Sequence, residues 1–144
     1  MEDSRVFGSY YGLTCFGKLQ ATRCTFEENR GNGLEILLDG QVELVDCVIR
    51  KNEGSGISAD GEDVTVLLRG GTITENTRSG VIAGFGAKVT VAEEDGLLQT
   101  VCKGNYKPSD VFAHVGPPRE SDWSTSDSGE IIGIPQEKID VSNE

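Results

Sequence analysis

The chain repeats one short pattern three times: Phe26-Glu27-Glu28-Asn29, Ile49-Arg50-Lys51-Asn52 and Ile73-Thr74-Glu75-Asn76. The asparagines that end these segments are 23 and 24 residues apart, and Asn105 follows at a wider spacing. A glycine and an aliphatic residue come soon after each segment: Gly33-Leu34, Gly56-Ile57 and Gly80-Val81. A period of this length is typical of solenoids, in which one coil of chain stacks on the next.

A column of glycines divides each repeat. Its members are Gly17, Gly40, Gly61 and Gly86. An alternating apolar stretch follows each of them: Leu19-Gln20-Ala21, Val42-Glu43-Leu44, Val64-Thr65-Val66 and Val89-Thr90-Val91. Alternation at period two indicates a strand with one buried face. Glycine suits a corner because it takes positive φ without steric cost, and asparagine is the next most tolerant residue.

Each repeat therefore predicts short strands joined by corners, and a unit of this size buries its apolar face only by stacking on a neighbour. Equivalent residues would form ladders with a spacing of about 4.8 Å. The predicted inward ladders are Leu34, Ile57 and Val81; Val42, Val64 and Val89; and Phe26, Ile49 and Ile73. The predicted outward ladders are Thr14, Glu35 and Ser58; and Gln20, Glu43, Thr65 and Thr90. We expect an all-β, single-stranded parallel β-helix of about four coils, with a partial fifth beginning at Val111–Val115.

From Gly12 to Gly116 this pattern resembles the right-handed parallel β-helix repeat of the pectin-lyase-like superfamily. The resemblance is carried by the Gly-aliphatic pair, the glycine before Val-x-Leu/Val, and Ile-x-x-Asn. It implies a right-handed coil, and it is specific for fold rather than for function. Enzymes of that superfamily use a carboxylate cluster with calcium and a basic residue, or several aspartates on one strand face. The predicted outward faces of this chain carry neither arrangement.

The repeat and the composition divide the chain into two parts. Residues 1–116 are the predicted β-helix domain, and Pro117-Pro118 ends it because proline has no amide hydrogen for a sheet ladder. Residues 117–144 hold seven acidic and two basic residues and are expected to be a disordered tail. The alternative is that its apolar islands, Ile131–Ile134 and Ile139–Val141, dock as strands on an open sheet edge.

The net charge of −11 argues against nucleic acid and anionic membranes as partners. No apolar run is long enough for a membrane span, and no basic segment leads into an apolar one at the N-terminus, so a cytoplasmic location is favoured. A glycan or a protein partner is compatible with the sequence. A short solenoid also exposes both of its ends, which predicts end-to-end self-association or a fragment of a longer β-helix.

Four carboxylates form the candidate binding site. Asp39 and Asp60 each precede a corner glycine, so the sequence predicts that they stack on one ridge, joined by Glu62 and Asp63. Clustered carboxylates suit calcium or sugar hydroxyls, or one half of the acid/base pair of a glycosidase. Ordinary Asp-Gly turn chemistry explains the same residues without any ligand.

The remaining polar candidates are interpreted as structural. Asn29, Asn52, Asn76 and Asn105 suit a ladder of stacked amides better than a ligand site. Cys24 and Cys47 share a column that continues to Gly71, which favours small buried side chains over a disulfide or a metal pair. His114 has no evident partner. The sequence thus predicts no catalytic residue, metal or cofactor.

The function that follows from the sequence is a non-catalytic binding or scaffold module for a glycan or a protein. A carbohydrate-active lyase or hydrolase, or a part of one, is the alternative. The regular coil without converging titratable groups favours the first hypothesis, and enzymatic activity stays an open question.

Overall fold

The structure, a computed structural model, describes residues 1–94, 97–98, 100–105, 122–126 and 128–142. Within these residues the chain forms short β-strands and one 3₁₀ turn, Gln136–Lys138. In chain order the strands are β1 (Arg5–Phe7), β2 (Leu13–Cys15), β3 (Lys18–Thr22), β4 (Thr25–Glu27), β5 (Leu34–Leu37), β6 (Gln41–Val45), β7 (Val48–Arg50), β8 (Ile57–Asp60), β9 (Thr65–Arg69), β10 (Thr72–Thr74), β11 (Val81–Gly84), β12 (Lys88–Val91), β13 (Glu93–Glu94), β14 (Leu97–Leu98), β15 (Val101–Lys103), β16 (Trp123–Ser126), β17 (Glu130–Ile132) and β18 (Ile139–Ser142).

Parallel pairing between successive coils gathers the strands into three sheets. Sheet I contains β2, β5, β8, β11, β16 and β18; sheet II contains β3, β6, β9, β12 and β17; and sheet III contains β1, β4, β7, β10 and β15. Each coil passes from sheet I to sheet II to sheet III, which gives four complete coils. The predicted all-β parallel β-helix is confirmed. We call the turns from sheet I to II, from II to III and from III to the next strand of sheet I the first, second and third corners.

Two of the predicted inward ladders form as expected. Leu34, Ile57 and Val81 are in register in sheet I, and Phe26, Ile49 and Ile73 are in register in sheet III. All six side chains are buried in the central core. The outward ladder of Thr14, Glu35 and Ser58 also forms. Apolar side chains that alternate with polar ones therefore fill the interior of the solenoid coil after coil.

The ladder predicted for sheet II is wrong in its third coil. Val66, not Val64, pairs with both Val42 and Val89. On the outer face Leu67 replaces Thr65 in the predicted row. A shift by two residues leaves every side chain on the same face of its strand, so an alternating pattern cannot reveal it.

The predicted glycine column is wrong for the same reason. Gly17 and Gly40 do stack, since the Gln41 amide donates to the Gly17 carbonyl at 2.8 Å. In the next two coils Val64 and Ala87 take that position, and Gly61 and Gly86 lie earlier in their turns. The two Asp-Gly pairs look alike in sequence, but Asp39-Gly40 ends a turn whereas Asp60 closes β8 and pairs with Leu37.

An asparagine ladder runs through the third corner. Asn29, Asn52, Asn76 and Asn105 are buried. Each of the first three donates from Nδ2 to Oδ1 of the next at 2.8–2.9 Å, and that Oδ1 also accepts the backbone N–H of the preceding asparagine at 3.1–3.2 Å. Asn52 donates its second Nδ2 hydrogen to the Phe26 carbonyl at 3.1 Å. Its amide is then fully used, with both donors and both acceptor sites occupied.

The ladder ends on a carboxylate rather than on an amide. Oδ1 of Asp122 accepts the Asn105 Nδ2–H at 2.9 Å and the Asn105 backbone N–H at 3.0 Å. The Asp122 carbonyl accepts the Val81 amide at 2.9 Å, in the position that Gly80 has one coil earlier. Asp122 therefore receives the last donors of the ladder and starts the fifth coil.

The described residues of 122–142 differ from the expected disordered tail. β16 pairs with β11, β17 with β12, and β18 with β16, so the sheets continue in parallel register. Trp123, Ile131, Ile134 and Ile139 are buried against the core. This arrangement matches the alternative of strands on an open edge, because pairing and apolar burial together outweigh a polar composition. Val111–Val115, His114 and the proposed boundary at residue 116 lie outside the described residues.

The second corner holds two stacked cysteines. The Val48 amide donates to the Cys24 carbonyl and the Thr72 amide to the Cys47 carbonyl, each at 2.9 Å, so the two residues occupy adjacent coils. Both thiols are free and buried, and Cys47 Sγ donates to the Ala21 carbonyl at 3.4 Å. Burial raises the pKa of the Cys47 thiol. Both residues therefore behave as small core side chains.

Candidate functional site

The first corner carries large apolar side chains on its outer surface. Phe16, Leu38 and Phe85 occupy it in the first, second and fourth coils and are 55%, 67% and 59% exposed. Leu38 and Phe85 also have left-handed backbones, with φ of 56° and 51°. Bulky residues rarely adopt this conformation, which costs roughly 1–2 kcal/mol per residue.

Hydrogen bonds close these turns tightly. The Gly40 amide donates to the Leu37 carbonyl at 3.0 Å, and the Ala87 amide donates to the Gly84 carbonyl at 3.1 Å. Phe85 and Gly86 both have positive φ, the sign pattern of a type I′ turn. Such turns are dominated by Gly, Asn and Asp, so Leu38 and Phe85 are not the residues that turn chemistry alone selects.

The other two corners fill their left-handed positions differently. Between the strands of the first four coils, the residues with positive φ at the second corner are Asp3, Arg23, Asp46, Gly70 and Gly71, and at the third corner they are Gly8, Gly12, Glu28, Lys51, Glu75 and Gly104. Every residue in both sets is charged or glycine. The first corner alone among the described corners pairs a strained backbone with an exposed apolar side chain.

The turn of the third coil separates Leu38 from Phe85. Gly61 lies between them in the third coil, because Leu37, Asp60 and Gly84 are in register and each is followed by one of the three. A Cβ on Gly61 would stand 3.3 Å from the Leu38 carbonyl oxygen and from Val64 Cγ2. With φ of 131° this position also excludes most side chains. The third coil thus places Gly61, Glu62 and Asp63 between Leu38 and Phe85.

Three of the four predicted site carboxylates lie in the turns of the first corner. Asp39, Glu62 and Asp63 are exposed in the turns of the second and third coils. A Cβ built on Gly86 would lie 3.0 Å from Glu62 Cγ, so the Glu62 stem reaches toward the coil of Phe85. Asp60 is half-buried at the end of β8 and is stacked on Leu37, not on Asp39 as the sequence predicted.

The structure does not assemble these carboxylates into a metal or acid/base site. No group of three or more His, Cys, Asp or Glu side chains among the described residues could hold a metal ion. Arg69 lies at the far end of β9, about 13 Å along the strand from its start, and approaches Glu43 at 3.8 Å. Arg69 therefore does not join the carboxylates at the first corner.

Glu27 on sheet III is the other strong charge cluster. Its buried carboxylate accepts from Arg5 Nε at 2.8 Å and from Arg50 Nε at 2.7 Å. The hydrogen bond from Arg50, supported by the one from Arg5, lowers the pKa of Glu27 despite its burial. Both carboxylate oxygens are engaged, so this cluster ties three coils together rather than offering a free base.

Sequence reasoning missed the residues that distinguish the first corner. The repeat pattern gives no role to Leu38, and Phe85 is only the residue before the corner glycine Gly86. The sequence gives a partial signal for these two residues, because a bulky apolar residue directly before Gly or Asp-Gly is unusual in a tight turn. Its left-handed conformation and its exposure depend on the register between coils.

Comparison with known proteins agrees with the architecture. A family model described as "Right handed beta helix region" matches residues 11–95, more than half of the 144-residue chain. No curated protein and no solved structure shows significant similarity to the chain. None of the described residues forms a helix with the length and apolar character that a membrane span requires. The matched range contains Leu38, Gly61 and Phe85.

Proposed function

We propose, from the premise that the chain belongs to the right-handed β-helix family, that it is a non-catalytic module that binds a protein partner at its first corner. The stacked coils act as a scaffold that holds side chains at fixed spacing. Binding at such a surface needs no bound metal or cofactor.

One observation carries this proposal. Leu38 and Phe85 combine a left-handed backbone with large exposed apolar side chains, although glycine occupies the equivalent position in the coil between them. Glycine would turn the chain at these positions without strain, and backbone strain of this kind clusters at functional sites. Exposed Leu and Phe side chains on a rigid support are suitable anchors for a partner.

Peptide selection tests the proposal directly. A random peptide library displayed on phage would be selected against the immobilised folded chain, and enriched peptides would be assayed on L38N/F85N. Asparagine tolerates the left-handed conformation, so this variant keeps the corner while removing the apolar surface. We expect enriched peptides to lose binding to the variant.

The matched control is K51N. Lys51 is also exposed and left-handed, with φ of 55°, but it lies at the third corner. Peptides should bind K51N as they bind the wild type. A selection without enrichment, or peptides that bind L38N/F85N unchanged, would remove the proposed function.

A carbohydrate-active enzyme is the second candidate, because Asp39, Glu62 and Asp63 share one corner. Membership of the pectin-lyase-like superfamily would fit this candidate. Its test is the release of new reducing or unsaturated ends from polygalacturonate and alginate, with and without calcium. Product formation that disappears in D39N/D63N would support the enzyme, and a lack of product on all substrates would oppose it.

End-to-end self-association is also a proposal. Among the described residues β2 pairs only with β5, and Leu13 and Leu19 at this end are only partly buried. Sedimentation at increasing concentration would detect a dimer, whereas a constant monomer mass would oppose it. A glycan partner and a cytoplasmic location stay predictions from the sequence.

A further inference from the structure

We infer that this chain associates head to tail with a second copy of itself, and that strand β18 of one copy adds to strand β2 of the next. This inference rests on the end-to-end self-association proposed above and deepens it by naming the two strands that meet. We call residues 1–23 the head of the solenoid and residues 130–142 its tail.

Strands β2 and β18 are the two edge strands of sheet I among the described residues. β2 pairs with β5 at one end of the sheet, and β18 pairs with β16 at the other. An edge strand presents backbone groups on its outer side that pair readily with a strand of another chain. Because all pairs in sheet I are parallel, a copy translated along the solenoid axis brings its β2 against β18 in the same parallel sense.

The two ends of the solenoid are stepped in a complementary way. At the head, Glu2 bridges to Thr22 in sheet II and β1 pairs with β4 in sheet III, one coil before β2. At the tail, β18 extends sheet I one coil beyond β17, the last described strand of sheet II. β18 therefore fits the position in sheet I that precedes β2 of the next copy, in the same coil as that copy's Glu2 and β1.

A column of the core ends exposed at the tail. Six residues are in register along sheet I: Cys15, Ile36, Ala59, Ala83, Thr125 and Val141. The first five are buried, whereas Val141 is 51% exposed at the outer end of the column. At the head, Leu13 and Leu19 are only partly buried, although Leu34 and Val42 beside them in the second coil are buried. A head-to-tail contact would cover apolar surface at both ends.

The register within sheet I predicts the register between copies. Continued by one strand, it places Ile139 beside Leu13 and Val141 beside Cys15 of the next copy. The inward columns would then run from one copy into the other without a break. A slip of one residue would turn Val141 away from the core, so the apolar columns select this pairing.

Charge favours the head-to-tail arrangement over the two symmetric ones. The head contains three basic and two acidic side chains, and the tail contains one basic and three acidic side chains. A head against a tail brings opposite net charges together, whereas a tail against a tail brings two acidic surfaces together. Symmetric contacts would also pair β2 with β2 or β18 with β18 in antiparallel fashion, and the stepped ends would not match.

Two variants that each block one end test the inference by sedimentation velocity. The Leu13 amide donates to Gly33, so the next amide along β2, that of Thr14, faces the open side. Thr14→Pro removes this donor at an edge where proline is tolerated, and Val141→Lys places a charge on the surface that the next copy would cover. We expect each variant alone to associate about tenfold or more weakly than the wild type.

A mixture of the two variants gives the sharpest result. Thr14→Pro keeps an intact tail and Val141→Lys keeps an intact head, so an equimolar mixture should form a dimer and no larger species. The wild type should instead grow beyond a dimer as its concentration rises, because a head-to-tail contact that does not close into a ring continues from copy to copy.

Leu67→Lys is the matched control. Leu67 is a half-buried apolar residue on the outer face of β9, in the middle of the solenoid, and its replacement should leave the association unchanged. Circular dichroism checks that each variant is folded. NMR dilution of the wild type needs no variant, and the amide signals of β2 and β18 should move together as the concentration changes.

The outcomes separate this inference from the proposals on which it rests. If only Thr14→Pro prevents association, the contact is head to head, and if only Val141→Lys prevents it, the contact is tail to tail. Either result overturns the pairing of β18 with β2 while end-to-end association stands. A wild type that stays monomeric with unmoved amide signals overturns both, and the phage selection decides the binding function of the first corner independently.

Discussion

The first and third corners of this solenoid solve the same geometric problem with opposite chemistry. At both corners the chain turns through left-handed residues between two sheets. The third corner buries a row of amides that hydrogen-bond one another from coil to coil. The first corner exposes Leu38 and Phe85, and the coil between them turns through Gly61, Glu62 and Asp63.

The difference shows which corner the fold needs. Substitution of a ladder residue would leave buried donors and acceptors unsatisfied, so the third corner contributes to stability. Leu38 and Phe85 are mostly exposed, and a residue that tolerates positive φ would relieve the backbone strain at either position. This cost to stability is the basis of the partner contact proposed for the first corner.

The largest expected effect is at the third corner. Asn52→Ala removes the acceptor of two Asn29 donors and the donor to the Phe26 carbonyl. Each buried group left unsatisfied costs about 1–3 kcal/mol, so we expect a loss of about 3 kcal/mol in the free energy of unfolding. Urea denaturation followed by circular dichroism measures it. Asn32→Ala is the control, because Asn32 Oδ1 accepts one hydrogen bond, from the Ser55 amide at 2.8 Å. An equal loss of stability in both variants would contradict the ladder.

The end of the ladder gives the next effect. Asp122→Ala leaves two Asn105 donors without an acceptor and should cost about 2 kcal/mol. Asp122→Asn keeps an oxygen in place and should cost less than about 0.5 kcal/mol. The same denaturation experiment compares the two variants. A similar loss in both would mean that the charge, rather than the acceptor, is what the ladder requires.

Glu27 on sheet III provides a test of stability against pH. Glu27→Gln weakens the contacts with Arg5 and Arg50 and should cost about 1–2 kcal/mol at neutral pH. The folded-state pKa of Glu27 is below its ordinary value, so the unfolded chain binds a proton first as the pH falls. The advantage of the wild type over the variant should therefore shrink below about pH 4.3. A difference that stays constant down to the acid transition would contradict this account.

The smallest expected effect has the opposite sign and belongs to the first corner. L38N/F85N should unfold no more easily than the wild type and should gain about 1 kcal/mol, because asparagine tolerates the left-handed backbone. The melting temperature measured by calorimetry checks this. A clear loss of stability would show that Leu38 and Phe85 serve the fold, and the comparison between the two corners would no longer hold.

The sequence pattern predicts the buried architecture well because core-facing residues recur at regular intervals along the chain. The sequence alone aligns Leu34, Ile57 and Val81, since each follows a glycine and faces a core that accepts only apolar groups. The docking of Ile131 and Ile139 was less predictable from a polar segment. Their position depends on a free sheet edge that the preceding coils provide, and the local sequence around Ile131 and Ile139 does not indicate that edge.

By itself the sequence determined the coil, the inward face of each strand and the asparagine row, because glycine, alternation and buried amides recur at nearly constant spacing. Only the tertiary structure decided that Asp60 pairs with Leu37 and that Leu38, Gly61 and Phe85 meet at one corner. A strand pattern is unchanged by a slip of two residues. The hydrogen bonds between coils, made by residues more than twenty positions apart, select one register from those that the pattern allows.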